Sequence, residues 1–270
     1  MDNVWALCNQ KGGVGKSAAT ANLGHELTRA GEKVLVVDCD PQATTTAITD
    51  TEPNPNHYPQ PDPTLYEVLT GECPITSAIN WSDAWGFDVA PATLSMARLE
   101  QQVSPGSEFR LAEALGFMSE RYDRILLDLP PSLGRFTLMG LIAADHALIV
   151  TEPSYPALRG VSDLLETLGV VTKRYAPSLA LAGVVVNKVV PTREAVLRIE
   201  ELDGVFGSQV WTPHVPHRTA LAEALGAHVP VRAMRGDGAR AVTEAFAGLA
   251  AVMQAYKPSS LLASKPTGEV

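Results

Sequence analysis

Two lysines and a hydroxyl are interleaved with three glycines in Gln10-Lys11-Gly12-Gly13-Val14-Gly15-Lys16-Ser17. Glycine leaves backbone N–H groups free to approach an anion with no Cβ in the way. A lysine can neutralise phosphate oxygens, and a serine hydroxyl can bind a divalent cation. Three acids complete the set. Asp38 and Asp40 stand in Val37-Asp38-Cys39-Asp40-Pro41-Gln42, and Asp128 ends the apolar run Ile125-Leu126-Leu127-Asp128. Cations, a hydroxyl and carboxylates in this order suit phosphoryl chemistry with water as nucleophile. A carboxylate must orient that water, and a second must hold the metal.

Such a set works only if the chain positions it. Val4–Asn9 reads as a strand and Ser17–Ala30 as a helix, closed by Gly31 where a C-terminal glycine belongs. The helix start, Ser17 and Ala18, then offers its N–H groups and dipole to the same anion. Lys33–Asp38, Phe87–Ala90, Arg124–Asp128, Ala147–Thr151 and Leu181–Asn187 are further apolar runs suited to buried strands. Between or after them come amphipathic stretches: Glu108–Arg121, Gly134–Ala144, Leu158–Arg174, Arg193–Phe206 and Ala239–Tyr256. The alternation predicts an α/β fold, a mostly parallel twisted sheet covered by helices on both faces. One domain is expected over residues 1–256, interrupted by a proline-rich surface loop at 50–63. The polar tail 257–270 is expected to be disordered.

Composition narrows the class. The 270 residues carry a formal net charge of −9, so any nucleic-acid contact must come from a local basic patch. Cys8, Cys39 and Cys73 form no CxxC pair, which fits free thiols in a reducing compartment. No signal sequence is evident and no apolar run is long enough to span a bilayer, so a cytoplasmic protein is expected.

The loop departs from G-x-x-x-x-G-K-[ST] in one informative way. Gly15, Lys16 and Ser17 match, but Gln10 occupies the first glycine position and a second lysine, Lys11, follows it. In this the loop resembles the deviant Walker A loop of the ParA/MinD ATPases. The resemblance extends through VDCDPQ and DLPPSLG, and covers Val4 to about Met253. It implies that ATP and Mg²⁺ are the cofactors. Residues Lys11 to Ala18 (Lys11, Gly12, Gly13, Val14, Gly15, Lys16, Ser17, Ala18) would bind ATP. Lys11 would reach the partner subunit's nucleotide across an ATP sandwich homodimer. Lys11, Lys16 and Asp40 would be the catalytic residues: Asp40 would orient the attacking water, with Asp38 behind it in the switch region, and Ser17, Asp40 and Asp128 would bind the metal. Pro41 and Gln42, with Pro130 and Pro131, would belong to the two switch loops. Asn187 and Pro216 would lie near the adenine. Arg218 stands where relatives carry asparagine, so a backbone contact is expected there.

Three branches of that family can be weighed. Iron–sulfur carriers need two cysteines per subunit at the interface, and only Cys73 lies away from the strands. Membrane-cycling MinD-type members end in a basic amphipathic helix, which KPSSLLASKPTGEV cannot build. Partition ATPases of ParA type fit best, and the segment LAEALGAHVPV is also similar to theirs. Because the chain begins at the first strand, the short form is expected. That branch implies binding to non-specific double-stranded DNA in the ATP state, association with the nucleoid, and a ParB-like centromere-binding partner that stimulates hydrolysis. Candidate DNA contacts are Arg193, Arg218, Arg235 and Arg240, with Arg198 and Arg232 further possibilities. Residues 188–240 hold seven Lys/Arg against six Asp/Glu, a charge of +1 that leaves −10 for the rest of the −9 chain. The alternative is a MinD-like or other positioning or regulatory ATPase that does not act on DNA.

Overall fold

In the computed structural model, residues 3–54, 62–101 and 104–257 are described. Eight strands form one sheet. They are β1 (Val4–Cys8), β2 (Val34–Asp38), β3 (Asn80–Ser82), β4 (Phe87–Ala90), β5 (Arg124–Asp128), β6 (His146–Thr151), β7 (Ala180–Val186) and β8 (Val210–Trp211). Their spatial order is β3-β4-β2-β5-β1-β6-β7-β8, all parallel except the β3–β4 pair at one edge. The helices are α1 (Lys16–Arg29), α2 (Thr44–Ile48), α3 (Leu65–Thr70), α4 (Arg110–Leu115), α5 (Arg135–Ala143), α6 (Tyr155–Arg174), α7 (Arg193–Phe206), α8 (Thr219–Gly226) and α9 (Asp237–Ala255).

The core lies on both faces of the sheet, as the unbroken apolar runs require. Successive β1 residues alternate between the two. Val4, Ala6 and Cys8 join the cluster beneath α4, α5 and α6, whereas Trp5 and Leu7 join the one beneath α1, α8 and α9. Burying a Leu or Val fully is worth about 1.5–3 kcal/mol, so these two layers supply most of the drive to form the sheet. Strand register then does functional work. Asp38 pairs with Asp128 across β2 and β5, and Leu7 pairs with Asp128 across β1 and β5. The carboxyl ends of three adjacent strands therefore converge at one crevice, the usual ligand position in open α/β sheets.

The structure corrects the sequence reading in two helices. Glu108–Arg121 is not continuous. Only Arg110–Leu115 is α-helical, with single 3₁₀ turns at Ser107–Phe109 and Met118–Glu120. Gly116 at the break is a poor helix former. Helix α6 begins three residues earlier than expected, at Tyr155, with Pro156 in its first turn where a missing N–H costs nothing. Of the proline-rich loop, the flanks are described: the Asn54 N–H donates to an Asp62 carboxylate oxygen at 3.0 Å, and Thr64 opens α3 with a capping box to Glu67. Residues 55–61 and 258–270, on which the loop and tail expectations chiefly fall, lie outside the described residues.

Candidate functional site

The loop Gln10–Ser17 joins the end of β1 to the start of α1. Gly13 and Gly15 have φ of +78° and +88°, a region that costs other residues about 1–2 kcal/mol. A Cβ at Gly15 would lie 2.4 Å from the Asn187 amide nitrogen, so only glycine fits there. Asn9, almost fully buried, anchors the loop's entry. Its amide donates to the Val150 carbonyl at 2.8 Å and its oxygen accepts the Lys11 N–H at 3.0 Å. Asn187 anchors the exit, donating to the Val14 carbonyl at 2.9 Å.

The two lysines serve different carboxylates. Lys16 is 7% exposed, and burial lowers its pKa against the opposing pull of Asp128 and Asp40. Lys11 instead meets Glu152 at 2.5 Å and Ser154 Oγ at 3.2 Å, both beyond the end of β6. Burial would raise the Glu152 carboxyl, but the Lys11 bond and charge, with Ser154 and Lys188, bring it below the usual range.

The carboxylates are held from several elements. Asp38 is fully buried, and burial together with Asp128 pushes its pKa up to about 7. One of its oxygens accepts from the Thr46 N–H and hydroxyl, both at 2.8 Å, and the other from the Asp40 N–H at 3.1 Å. Asp40 in turn accepts the Gln42 N–H at 2.9 Å. Asp128 is raised by burial, against hydrogen bonds from Ser17 and Thr45 and the charge of Lys16. The Thr45 hydroxyl lies at 2.7 Å and that of Thr20 at 3.4 Å. Pro41 and Pro130 are buried, Gln42 and Pro131 exposed. Pro131 lies 3.8 Å from the position a Gly12 Cβ would take, so the loop after β5 rests against the phosphate loop.

These residues suit a nucleoside triphosphate with Mg²⁺. The loop is open to backbone–phosphate contact, and Ser17 stands near enough to Asp128 to lower its pKa, so the two would hold a divalent cation together. Mg²⁺ keeps waters and phosphate oxygens as ligands, so it needs no all-protein cage. Among the described residues no group of three or more His, Cys, Asp or Glu is placed to hold a metal ion by itself. Beside the loop, a cavity of about 220 Å³ is lined by Gly15, Ala18, Asn187, Lys188, Pro216, His217, Arg218, Leu221, Ala222 and Leu225. Its apolar walls suit a nucleobase. Asn187, Pro216 and Arg218 are thus brought together with the loop; Arg218 stands at the N-terminal boundary of α8, its side chain passing beside Gly238 and donating to the His217 carbonyl at 2.8 Å.

The proposed DNA contacts are not equivalent. Arg198 is bound by Glu194 and Glu201, Arg240 by Asp237, and Arg232 by Glu26. Arg193 opens α7, and Arg235 precedes α9. Sequence reasoning missed Asn9, Thr45, Thr46, Glu152, Ser154 and Lys188. The run Thr44-Thr45-Thr46 was the available signal, since hydroxyls just after DPQ lie within reach of the strand-end acids.

Sheet, loop and strand-end carboxylates define a P-loop nucleotide-binding protein. A family model described as an AAA domain matches residues 2–181. The sporulation initiation inhibitor protein Soj of Bacillus subtilis (strain 168) is 34% identical over 227 residues, 83% of this chain and 88% of that protein. The chromosome-partitioning ATPase Soj of Thermus thermophilus is 35% identical over 239 residues, 87% and 90% of the two chains. Among solved structures, cobyrinic acid a,c-diamide synthase from Mycobacterium smegmatis, with bound ADP and magnesium, has a TM-score of 0.75 at 30% identity. It covers 90% of this chain and 92% of that one. The chain belongs to the ParA/MinD family of deviant Walker A ATPases. No helix among the described residues is long and apolar enough to cross a membrane.

Proposed function

We propose that this ATPase is a dimeric switch for DNA partition, binding non-specific double-stranded DNA with ATP bound and releasing it after a partner stimulates hydrolysis. The observation that carries the reading is the separation of the two lysines. Lys16 answers to the buried acids of its own site, while Lys11 is held at 30% side-chain exposure by Glu152 and Ser154. A cation so placed can leave its own subunit and meet a second subunit's triphosphate. There it offsets the repulsion between two nucleotides and stabilises charge in transfer.

In this reading the N–H groups of Gly12, Gly13, Val14, Gly15, Lys16, Ser17 and Ala18 hold the phosphates, and Lys16 neutralises them. Ser17 and Asp128, with Asp40 beside them, would hold Mg²⁺, which would supply charge stabilisation to the phosphates. Asp40 orients the water, kept in place by Asp38 and Thr46. The loops carrying Pro41 and Gln42 and Pro130 and Pro131 transmit the state of the site. Similarity over most of the chain to a protein named as a chromosome-partitioning ATPase supports DNA as the track, and so do the basic side chains of Arg193, Arg218 and Arg235.

The test is binding to random duplex DNA with ATP, ADP and no nucleotide over a salt series, with Asp40→Ala to hold the ATP state. Binding only with ATP, and weakening steeply with salt, is expected. ATP-dependent dimerisation with no DNA binding in any state would instead favour a positioning ATPase that does not act on DNA.

A further inference from the structure

Lys188 occupies a place the family motifs do not account for. It directly follows Asn187 after β7 and is half-buried. Its backbone has φ of +55°, a conformation that a non-glycine residue holds only when its surroundings impose it. Two bonds do so. Its N–H donates to the Asn187 side-chain oxygen at 2.9 Å, and its ammonium donates to the Gly13 carbonyl at 2.5 Å. Between those ends the stem runs beside the phosphate loop. Its Cε would lie 3.8 Å from a Cβ on Gly15. The same side chain lines the 220 Å³ cavity that Pro216, Leu221 and Leu225 help to wall.

One residue thus touches both halves of the nucleotide site. A lysine stem is apolar and can face the flat side of a base, while its ammonium stays with a polar partner. The ammonium also fixes the carbonyl of Gly13, whose own φ of +78° sets the direction of the adjacent N–H groups. We propose that Lys188 is a nucleotide-binding residue with two separable roles: its stem forms one wall of the nucleobase pocket, and its ammonium locks the phosphate loop in its binding shape. The two roles couple base occupancy to phosphate affinity. The proposal rests on the base lying in this cavity, and it adds a residue to that reading.

The experiment compares ADP with inorganic pyrophosphate, each with Mg²⁺, by calorimetry on the full chain. Lys188→Met keeps the stem and removes the ammonium. It is expected to weaken both ligands by a similar factor, about tenfold, the usual scale for one charge-assisted hydrogen bond. Lys188→Ala removes both and is expected to weaken pyrophosphate no further than Lys188→Met does, but ADP by about another fivefold. A variant damaged only in folding would not split the two ligands this way. Unchanged pyrophosphate affinity in Lys188→Met would overturn the loop-locking role. Equal ADP affinities in the two variants would overturn the base-wall role. Ala222→Trp, at an exposed edge of the same cavity, tests the underlying reading. If it leaves ADP binding intact, the base lies elsewhere and the pocket assignment fails, whatever Lys188 does.

Discussion

At the carboxyl ends of β1, β2 and β5, Lys16, Asp38, Asp40 and Asp128 are each no more than 9% exposed. Asp128 is answered by groups from distant parts of the chain: Thr45 bonds it from 83 residues away, and Thr20 from 108. Along α7 and α9 the paired arginines have sequence neighbours as partners. Arg198 pairs with residues three and four positions away, and Arg240 with one three positions away. The contrast follows from dielectric. A buried charge without designed partners costs several kcal/mol, so the fold must specify every contact. A solvated charge costs almost nothing, and its ion pairs contribute little. Placement is therefore specified most tightly at the phosphate end, while an exposed pair such as Arg240–Asp237 is free to exchange partners.

The sharpest break of that comparison is Asp40→Ala. If Asp40 orients the attacking water as proposed, its removal is expected to lower kcat for ATP by about 10²–10⁴-fold, with the Kd for ADP nearly unchanged. Phosphate release and nucleotide titration read the two separately. If Kd rises as far as kcat falls, Asp40 serves chiefly as a metal ligand.

The next effect concerns Asp38 in the nucleotide-free, Mg²⁺-free protein. Its carboxyl ordinarily titrates at 3.8, and in the fold at about 7. Between those values the folded chain holds more protons than the unfolded one, so this group makes stability fall as pH rises through that window and no further above it. Asp38→Asn abolishes the dependence. Its urea midpoint, relative to the parent, should therefore rise from pH 4 to pH 7 and then level off. A pH-independent difference would mean that Asp38 stays ionised in the fold, and that the crevice is wetter than its burial implies.

Arg232 sharpens the comparison, because it stands among the surface arginines yet is built like the phosphate end. Its Nε and a terminal nitrogen reach both oxygens of Glu26 at 2.8 and 2.6 Å, and Glu26 is 7% exposed. Arg232→Ala strands that carboxylate and is expected to cost about 2 kcal/mol, less than a fully buried pair because Arg232 itself is one-third exposed. Arg235→Ala should stay within about 0.5 kcal/mol. Equal losses in chemical denaturation would erase the distinction.

The same physics decides what could be read from sequence. Phe87–Ala90, Arg124–Asp128 and Arg193–Phe206 form elements with the bounds their apolar periodicity predicts, because burial on a sheet face or helix stripe is a local pattern. The loop glycines were legible for a similar reason, since positive φ leaves a residue-type signature. Helix α2 was not, because Thr44-Thr45-Thr46 reads as polar loop until its hydroxyls are seen to turn inward to Asp38 and Asp128. Strand β8 is two residues long and carries no period to detect. The contacts of Lys11 with Glu152 and of Lys188 with Gly13 span 141 and 175 residues, and nothing in either local sequence announces them.

The smallest effects lie on the basic surface, where single phosphate contacts are counted. For ATP-dependent duplex binding, Arg193→Ala, Arg218→Ala and Arg235→Ala should each reduce the slope of log K against log salt by about one, uniformly across sequences. Arg198→Ala should leave the slope unchanged, because two glutamates already neutralise that guanidinium on its own helix. Arg240, with a single exposed partner in Asp237, should fall between them, since a lone surface pair exchanges readily for a phosphate. The decisive variant is Asp237→Asn, which removes the competing carboxylate and should steepen the salt dependence only if Arg240 faces the duplex. A slope that ignores Asp237 while still responding to Arg235 would draw the boundary of the DNA-facing surface between two residues five positions apart.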